Sequence, residues 1–276
     1  MTEARRTVLS VQELTKDFAL RGGRAALGAG QVHRAVDSVS LDIAAGEILG
    51  LAGGSGSGKS TLARCIIRLV EPDSGRVFLG DEDVLAAKGK DLRALRRRIQ
   101  MVFQDPYASL DPRMTVGAAL LEVGRVHNMP GSSDQESFVS TLLDQVQLHR
   151  SMASRRPSEL SGGQRQRVAI ARALAAGPEV LIADEAVSAL DVSVQAQLLN
   201  LFMDLRDELG LGILFVSHQL AVLAQICDRI AVMSTGRIVE LADTRTLFDR
   251  PEHEYVKALL AAHPSPDPRE RERRIA

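Results

Sequence analysis

Residues 53–61, with the sequence GGSGSGKST, are glycines and serines followed by one lysine and two further hydroxyl residues. In a loop of this pattern, backbone N–H groups surround a phosphate, the lysine reaches the outer phosphates, and the following serine hydroxyl binds Mg²⁺. The sequence therefore predicts a site for a nucleoside triphosphate. The residues predicted to contact the nucleotide are Gly53, Ser55, Gly56, Ser57, Gly58, Lys59, Ser60 and Thr61.

Two further stretches carry side chains suited to phosphate chemistry. The apolar run VLIADE at 180–185 ends in two adjacent carboxylates, and we expect Asp184 to bind Mg²⁺ and Glu185 to polarise the attacking water. A second apolar run, GILFVSH at 212–218, ends in His218, a candidate sensor of the γ-phosphate. Taken alone, these features would also fit an acidic strand end and a structural histidine.

The stretch LSGGQRQRVAIARALAAGP at 160–178 predicts a second phosphate-binding helix end. Ser161 can cap the helix, and Gly162 and Gly163 leave backbone N–H groups accessible. This helix end lies about a hundred residues from the first loop in sequence. Two such ends in one chain suggest that each nucleotide is shared between two copies.

The segments around these motifs predict the elements that position them. The loop at 53–61 follows a short apolar run, EILGLAG, and precedes STLARCIIRLV at 60–70, so it is expected between a buried strand and a helix. A longer helix is predicted from SVQAQLLNLFMDLRDELG, ending at Gly210. Residues 91–160 also contain several stretches with apolar residues at helical spacing, which predict further helices. Buried strands alternating with helices predict an α/β fold with the motifs at one sheet edge.

Composition excludes several classes of protein. Among 276 residues, 34 basic and 35 acidic side chains give a net charge of −1, so no global field favours nucleic acid, and we expect no nucleic-acid partner. No stretch approaches the roughly 18 apolar residues of a membrane helix. The two cysteines, Cys65 and Cys227, lie far apart in sequence, without CxxC spacing. This pattern fits a protein of a reducing compartment and argues against a zinc or iron-sulfur site. We therefore expect the chain to stay in the cytoplasm.

With these motifs in this order, the sequence resembles the ATP-binding subunits of ABC transporters over nearly its whole length. The resemblance implies that Gln104, in MVFQDP, contacts Mg²⁺ and senses occupancy, and that Ser161, Gly162, Gly163 and Gln164 close over the nucleotide of a partner subunit. It also implies that Asp191, in SALD at 188–191, helps join the two sites. Phe18 resembles the aromatic residue that stacks on adenine, although an ordinary core phenylalanine is almost as compatible with its position.

The resemblance also implies the domain organisation. It predicts a P-loop, RecA-like nucleotide-binding core with a β-rich subdomain on the adenine side and an inserted α-helical subdomain. The ATP-binding domain would cover 1–263, with the front lobe at 1–90 and the helical subdomain at about 91–160. The core would resume at about 165–241, followed by a C-terminal segment at 242–263. A flexible charged tail is expected at 264–276.

Within the family, several stretches resemble the importers of dipeptides, oligopeptides, nickel and opines, above all the segment PEHEYVKALLAAHPSPDP. This resemblance implies an ATPase that drives peptide import, or alternatively nickel or opine import. Three residues depart from the pattern: Gly54 replaces a usually larger residue, Ala186 follows Glu185 where proline is common, and Gln219 follows His218 where aspartate is common. Gln219 is expected to weaken the cap of the next helix.

The resemblance implies a set of partners and a place in the cell. They are two transmembrane permease subunits, a second ATP-binding subunit that is a sibling or a second copy, and an extracytoplasmic substrate-binding protein. The chain would lie on the cytoplasmic face of the inner membrane, with a permease helix in a groove beside Gln104 that includes residues 107–110. A soluble ABC ATPase acting on ribosomes shares the nucleotide motifs and is the alternative from another class.

Overall fold

The computed structural model describes residues 6–19, 32–105, 109–188 and 190–262. The predictions made for Tyr107 and for the tail at 264–276 fall outside these residues, as does Ala189 within SALD. In the described ranges, no helix is both long enough and apolar enough to cross a membrane.

An antiparallel sheet of four strands forms in the first third of the described chain, in the order β2-β1-β4-β5. Between Val39 and Ile43, β2 alternates buried apolar and exposed polar residues, as expected for a sheet with one solvated face, whereas register shifts interrupt this pattern in β1. Its strands are β1 (Thr7–Ala19), β2 (Val32–Ala44), β4 (Ser74–Leu79) and β5 (Glu82–Asp83).

A second sheet of six strands holds the predicted motifs, in the order β10-β9-β3-β8-β7-β6. Its strands run parallel except for β10, which pairs antiparallel with β9. The central strands are buried along their whole length because both faces of the sheet are covered. The strands are β3 (Ile48–Ala52), β6 (Ile99–Val102), β7 (Val180–Asp184), β8 (Gly212–Val216), β9 (Arg229–Ser234) and β10 (Arg237–Asp243).

The helices lie between these strands and after the last one. The helices are α1 (Lys59–Ile66), α2 (Gly89–Arg98), α3 (Val116–Val126), α4 (Gln135–Gln145), α5 (Gly162–Leu174), α6 (Val192–Leu209), α7 (Leu220–Ile226), α8 (Thr244–Asp249) and α9 (Glu254–Ala262). Short 3₁₀ turns cover Arg150–Ser154 and Pro157–Glu159. Gly210 ends α6 in the left-handed conformation, with φ 65°.

Two apolar cores lie on opposite faces of the six-stranded sheet. Strand β3 contributes Ile48 and Ala52 to one core and Leu49 and Leu51 to the other, as the alternation of side chains along a strand requires. The first core includes α3 to α7, and the second joins α1 to the four-stranded sheet. The sheet edge with the motifs is therefore held between two packed layers.

Two sequence-based boundaries differ from the structure. Strand β6 follows α2 and pairs with β7 in the six-stranded sheet, so residues 99–102 are part of that sheet and not of the helical region predicted to start at 91. A four-residue strand gives too short an apolar pattern to reveal its partner 81 residues later. The helix predicted at 60–70 already ends at Ile66. Two residues later, Arg68 adopts a left-handed conformation with φ 56°, which a continuing helix would not allow.

Candidate functional site

Three parallel strands bring the predicted chemical residues to one edge of the sheet. In the strand register, Leu51 and Asp184 both pair with Val216. The phosphate-binding loop therefore follows β3 at the same level at which Asp184 ends β7 and Glu185 follows it. His218 follows β8 two residues after Val216. This is the carboxyl edge at which open α/β sheets bind their ligands.

The phosphate-binding loop is closed by its own lysine. The Lys59 Nζ atom lies 2.9 Å from the carbonyl oxygens of both Gly53 and Gly54, and donates to each. Gly58 caps α1 in the left-handed region, with φ 105°, so Lys59 is the first residue of the helix. Backbone N–H groups at a helix start favour an anion at this point.

Close packing on neighbouring backbone explains two of the loop glycines. A Cβ atom at Gly53 would lie 2.3 Å from the Met233 carbonyl oxygen, and one at Gly58 would lie 2.0 Å from the Ala35 carbonyl oxygen. Gly56 has φ 76°, but a Cβ atom there would meet open space. Gly53 and Gly58 are thus required by the fold around the loop, whereas Gly56 lines its open side.

Two charged side chains of the site are almost completely buried. Lys59 is 5% exposed and Asp184 is 4% exposed. Burial lowers the pKa of Lys59, opposed by the nearby charges of Glu185 and Asp184. Burial likewise raises the pKa of Asp184, which accepts a hydrogen bond from Ser60 Oγ at 2.9 Å. A ligand of opposite charge beside each group, a phosphate for Lys59 and a cation for Asp184, would offset the free-energy cost of burying it.

The oxygen atoms of Ser60 and Asp184 suit Mg²⁺. Over the described ranges, no group of three or more His, Cys, Asp or Glu side chains could hold a metal ion. Mg²⁺ does not require such a group, since it commonly binds through one or two protein oxygens together with water and phosphate oxygens. A single buried carboxylate beside a hydroxyl, next to a phosphate-binding loop, fits this mode of binding.

Glu185 is the centre of a hydrogen-bonded group at the mouth of the site. Gln104 Nε2 donates to Glu185 Oε2 at 3.0 Å, and His218 Nδ1 lies 3.3 Å from Glu185 Oε1. The backbone of Glu185 is left-handed, with φ 49°, while its N–H group still donates to the Val216 carbonyl oxygen at 3.0 Å. This conformation is uncommon for glutamate and is typical of functional sites.

The LSGGQ segment begins helix α5 with a capping box. Gln164 N–H donates to Ser161 Oγ at 3.3 Å, and the Gln164 side chain accepts from Ser161 N–H at 3.0 Å. Both hydrogen bonds close within one turn, so they organise the helix end itself. Gly162 is exposed, whereas a Cβ atom at Gly163 would lie 2.5 Å from Val194 Cγ1.

Asp191, predicted to help join two sites, and Phe18, predicted to stack on adenine, each contact another residue of this chain. Asp191 caps helix α6 by accepting a hydrogen bond from Val194 N–H at 2.9 Å. Phe18 lies near the end of β1 and is 40% exposed, with Lys16 Nζ 5.5 Å from its ring centroid. An exposed ring can stack on a base, so the adenine contact stays a prediction.

Sequence reasoning missed one residue at the site. Tyr255, in helix α9, accepts a hydrogen bond from Gly54 N–H at 3.1 Å. The two residues are 201 positions apart, and no local pattern links them. The sequence signal for this contact is the tyrosine within PEHEYVKALL, a polar aromatic residue with a hydroxyl that can hydrogen-bond.

The fold and the site define a P-loop ATPase with a second candidate phosphate-binding helix, α5, which begins at Gly162. The family profile described as "ABC transporter" matches residues 36–188, more than half of the chain. The chain belongs to the ABC transporter family. The resemblance drawn from the motifs is therefore confirmed.

Curated relatives resemble the chain over almost its whole length. A probable peptide ABC transporter ATP-binding protein of Sinorhizobium fredii is 51% identical over 95% of this chain and 74% of its own length. A glutathione import ATP-binding protein of Pectobacterium atrosepticum is 48% identical over 96% of this chain. The chain spans only 42% of the length of that second relative.

Solved structures confirm the predicted fold class. The ATP-binding cassette MJ0796, a dimer in a post-hydrolysis state bound to ADP and Pi, is 29% identical with a TM-score of 0.73. It covers 86% of this chain, which covers 99% of that cassette. Subunit cbiO1 of Clostridium perfringens, part of the ABC transporter complex cbiONQ, has a TM-score of 0.75 at 27% identity, with coverage of 89% and 92%. The fold is that of ABC ATPase cassettes.

Proposed function

We propose that this chain is the ATP-hydrolysing subunit of an ABC importer for peptides. The observation that carries the proposal is the group formed by Gln104, Glu185 and His218 beside the phosphate-binding loop. A carboxylate held between an amide and an imidazole is suited to orienting a water molecule and accepting its proton. ATP hydrolysis requires that chemistry next to the γ-phosphate.

Each residue of the site has a part in this proposal. The loop N–H groups and Lys59 bind the triphosphate, and Glu185 orients the attacking water and takes up its proton. His218 holds the γ-phosphate. Ser60, Asp184 and Gln104 would hold Mg²⁺, which when bound neutralises negative charge on the phosphate oxygens.

Two subunits are proposed to share each nucleotide. The Ser161 and Gln164 hydrogen bonds close within their own helix end. Gly162, which is exposed, and Gly163 beside it can then offer their N–H groups to a ligand outside the helix. The similar cassette MJ0796 is a dimer. On this basis, binding of ATP closes a dimer in which Asp191 lies near the partner, and hydrolysis opens it.

The proposed cargo follows from the relatives. One is named for peptide transport and another for import of glutathione, which is itself a tripeptide. Import of nickel or opines is the alternative cargo, and a soluble ATPase acting on ribosomes is the alternative class. The proposal includes two permeases, a substrate-binding protein outside the membrane, and attachment at the cytoplasmic face.

A groove beside the Gln104 segment is the proposed docking place of a permease helix. It has a volume of about 370 Å³ and includes Phe103, Val126 and Arg172 among its lining residues. Phe103 is 37% exposed and Val126 is 60% exposed, so the groove offers apolar side chains to a partner. A short helix with one apolar face and an acidic residue would suit this lining.

The proposed function is tested by purifying the complex. The Glu185→Gln variant, tagged in its own host, is extracted from membranes with mild detergent and MgATP, and the bound proteins are identified by mass spectrometry. Two multi-span permeases and a second ABC ATPase subunit are expected. A variant that binds no ATP, Lys59→Ala, provides the control for partners that depend on the closed dimer.

The identity of the co-purified proteins separates the alternatives. Recovery of a binding protein together with the permeases allows the cargo to be found by testing peptides, glutathione and nickel on that protein. Ribosomal proteins without any membrane protein would contradict the importer and favour the soluble ATPase.

A further inference from the structure

The C-terminal helix contacts the phosphate-binding loop through a single polar group. The hydroxyl of Tyr255 accepts a hydrogen bond from Gly54 N–H at 3.1 Å. A Cβ atom at Gly54 would lie 3.2 Å from that hydroxyl, which is tighter than ordinary contact. Glycine at position 54 therefore leaves room for the hydroxyl at hydrogen-bond distance.

The peptide group bound by Tyr255 is the same one that holds the lysine of the site. Gly54 N–H and the Gly53 carbonyl are the two ends of one planar peptide unit. The Gly53 carbonyl oxygen accepts from Lys59 Nζ at 2.9 Å. A peptide between two glycines rotates easily, so a partner on its N–H side restricts the direction of its carbonyl.

Burial of one side chain and three hydrogen bonds hold the start of helix α9 around Tyr255 in place. Val256 is fully buried in the core that covers one face of the six-stranded sheet. The Glu240 carboxylate on β10 accepts from Glu252 N–H at 3.1 Å and from His253 N–H at 2.8 Å. His253 Nδ1 accepts in turn from Tyr255 N–H at 3.1 Å. The start of α9 is therefore held on both sides of the tyrosine.

We infer that Tyr255 is a positioning residue for the phosphate-binding loop. Its hydroxyl holds the peptide between Gly53 and Gly54 in one orientation, and thereby keeps the Lys59 ammonium group directed into the loop before ATP arrives. The inference rests on the proposed function only in that the loop binds ATP. It makes the C-terminal segment part of the nucleotide site.

The Tyr255→Phe variant tests the inference because it removes the hydroxyl and keeps the ring. We expect the Kd for MgATP to rise about three- to tenfold, the effect of losing one hydrogen bond. The melting temperature of the nucleotide-free protein should stay within about 2 °C of the wild type. The matched control is Lys257→Met, which breaks only the exposed ion pair with Glu254 in the same helix.

Two further measurements separate positioning from simple loss of packing. The amide proton of Gly54 should shift upfield in the NMR spectrum of Tyr255→Phe, and this readout needs no bound ATP. Gly54→Ala should weaken ATP binding in the wild type and have a smaller effect in the Tyr255→Phe background, where the hydroxyl no longer meets the new methyl group.

The outcomes distinguish this inference from the proposed function. A Gly54 amide shift with weaker ATP binding at unchanged melting temperature supports the positioning role. An unchanged Gly54 amide, an unchanged Kd, or an equal loss of affinity in Lys257→Met would overturn it. Absence of ATP binding in the wild type would contradict the proposed function, while the amide shift would still report on the contact.

Discussion

At the scale of single residues, Glu185 combines an uncommon backbone with a carboxylate that has a partner on each oxygen. Gln104 and His218 contact the two oxygens, and the backbone of Glu185 is left-handed, with φ 49°. A general base needs this restriction, because proton transfer depends on its distance and direction to the water. The geometry therefore favours Glu185 over Asp184, which is buried and bonded to Ser60, as the base.

Replacing Glu185 with glutamine should abolish turnover without preventing binding. Because an amide cannot accept the proton of water, we expect ATP hydrolysis to fall by at least about 100-fold. Binding of a fluorescent ATP analogue should be retained. Glu208→Gln, at the exposed end of α6, is the control and should hydrolyse ATP at the wild-type rate. Full turnover by Glu185→Gln would exclude it as the base.

Two loop glycines should differ sharply in their tolerance of alanine. At Gly56 the new methyl group meets open space, so only the left-handed backbone opposes it, costing about 1 kcal/mol or a 2–4 °C lower melting temperature. At Gly58 the methyl group would collide with the Ala35 carbonyl, so Gly58→Ala should cost about 1–3 kcal/mol more. Differential scanning calorimetry measures both. Equal melting temperatures would refute the packing explanation.

At the scale of elements, an ion pair joins the start of β6 to the start of β7. Arg98 at the end of α2 donates two hydrogen bonds to the Glu179 carboxylate, and Glu179 N–H donates to the Arg98 carbonyl oxygen at 2.8 Å. The hydrogen bond from Arg98 lowers the pKa of Glu179 below its ordinary 4.5. The pair therefore helps fix the register of two parallel strands whose sequences are far apart.

Acid should weaken this connection. A carboxyl with a lowered pKa stabilises the fold above its ordinary value of 4.5, and this stabilisation is lost as pH falls through the lowered pKa. Glu179→Gln should therefore lower the free energy of unfolding at pH 7 by about 1 kcal/mol or less, since the pair is partly solvated. The difference from wild type should be smaller at a pH well below 4.5 than at pH 7. Urea denaturation at both pH values is the check, and a constant difference would contradict the assignment.

Elements with a local signature could be predicted from the sequence, and those fixed by distant contacts could not. The cap at Ser161 and the stop at Gly210 were readable because the responsible residues are adjacent to the helix. The weak cap at Gln219 was also expected, and its side chain makes no capping hydrogen bond. Strand β6 and the contact of Tyr255 with Gly54 depend on residues far away in the chain.

At the scale of the whole molecule, the site lies at an edge between two apolar layers. The layers hold β3, β7 and β8 in register, so the loop, the carboxylates and the histidine keep their spacing. The start of α5 is exposed at Ser161 and Gly162. An exposed helix end of this kind allows the molecule to work as one half of a closing pair.

Peptide uptake by intact cells tests the central proposal most directly. A host strain without this gene is complemented with the wild type, Glu185→Gln or Glu208→Gln, and accumulation of a labelled dipeptide is measured at matched expression. We predict that the wild type and Glu208→Gln restore uptake and that Glu185→Gln does not. Equal uptake in all three strains, or no loss of uptake on deleting the gene, would contradict an ATP-driven peptide importer.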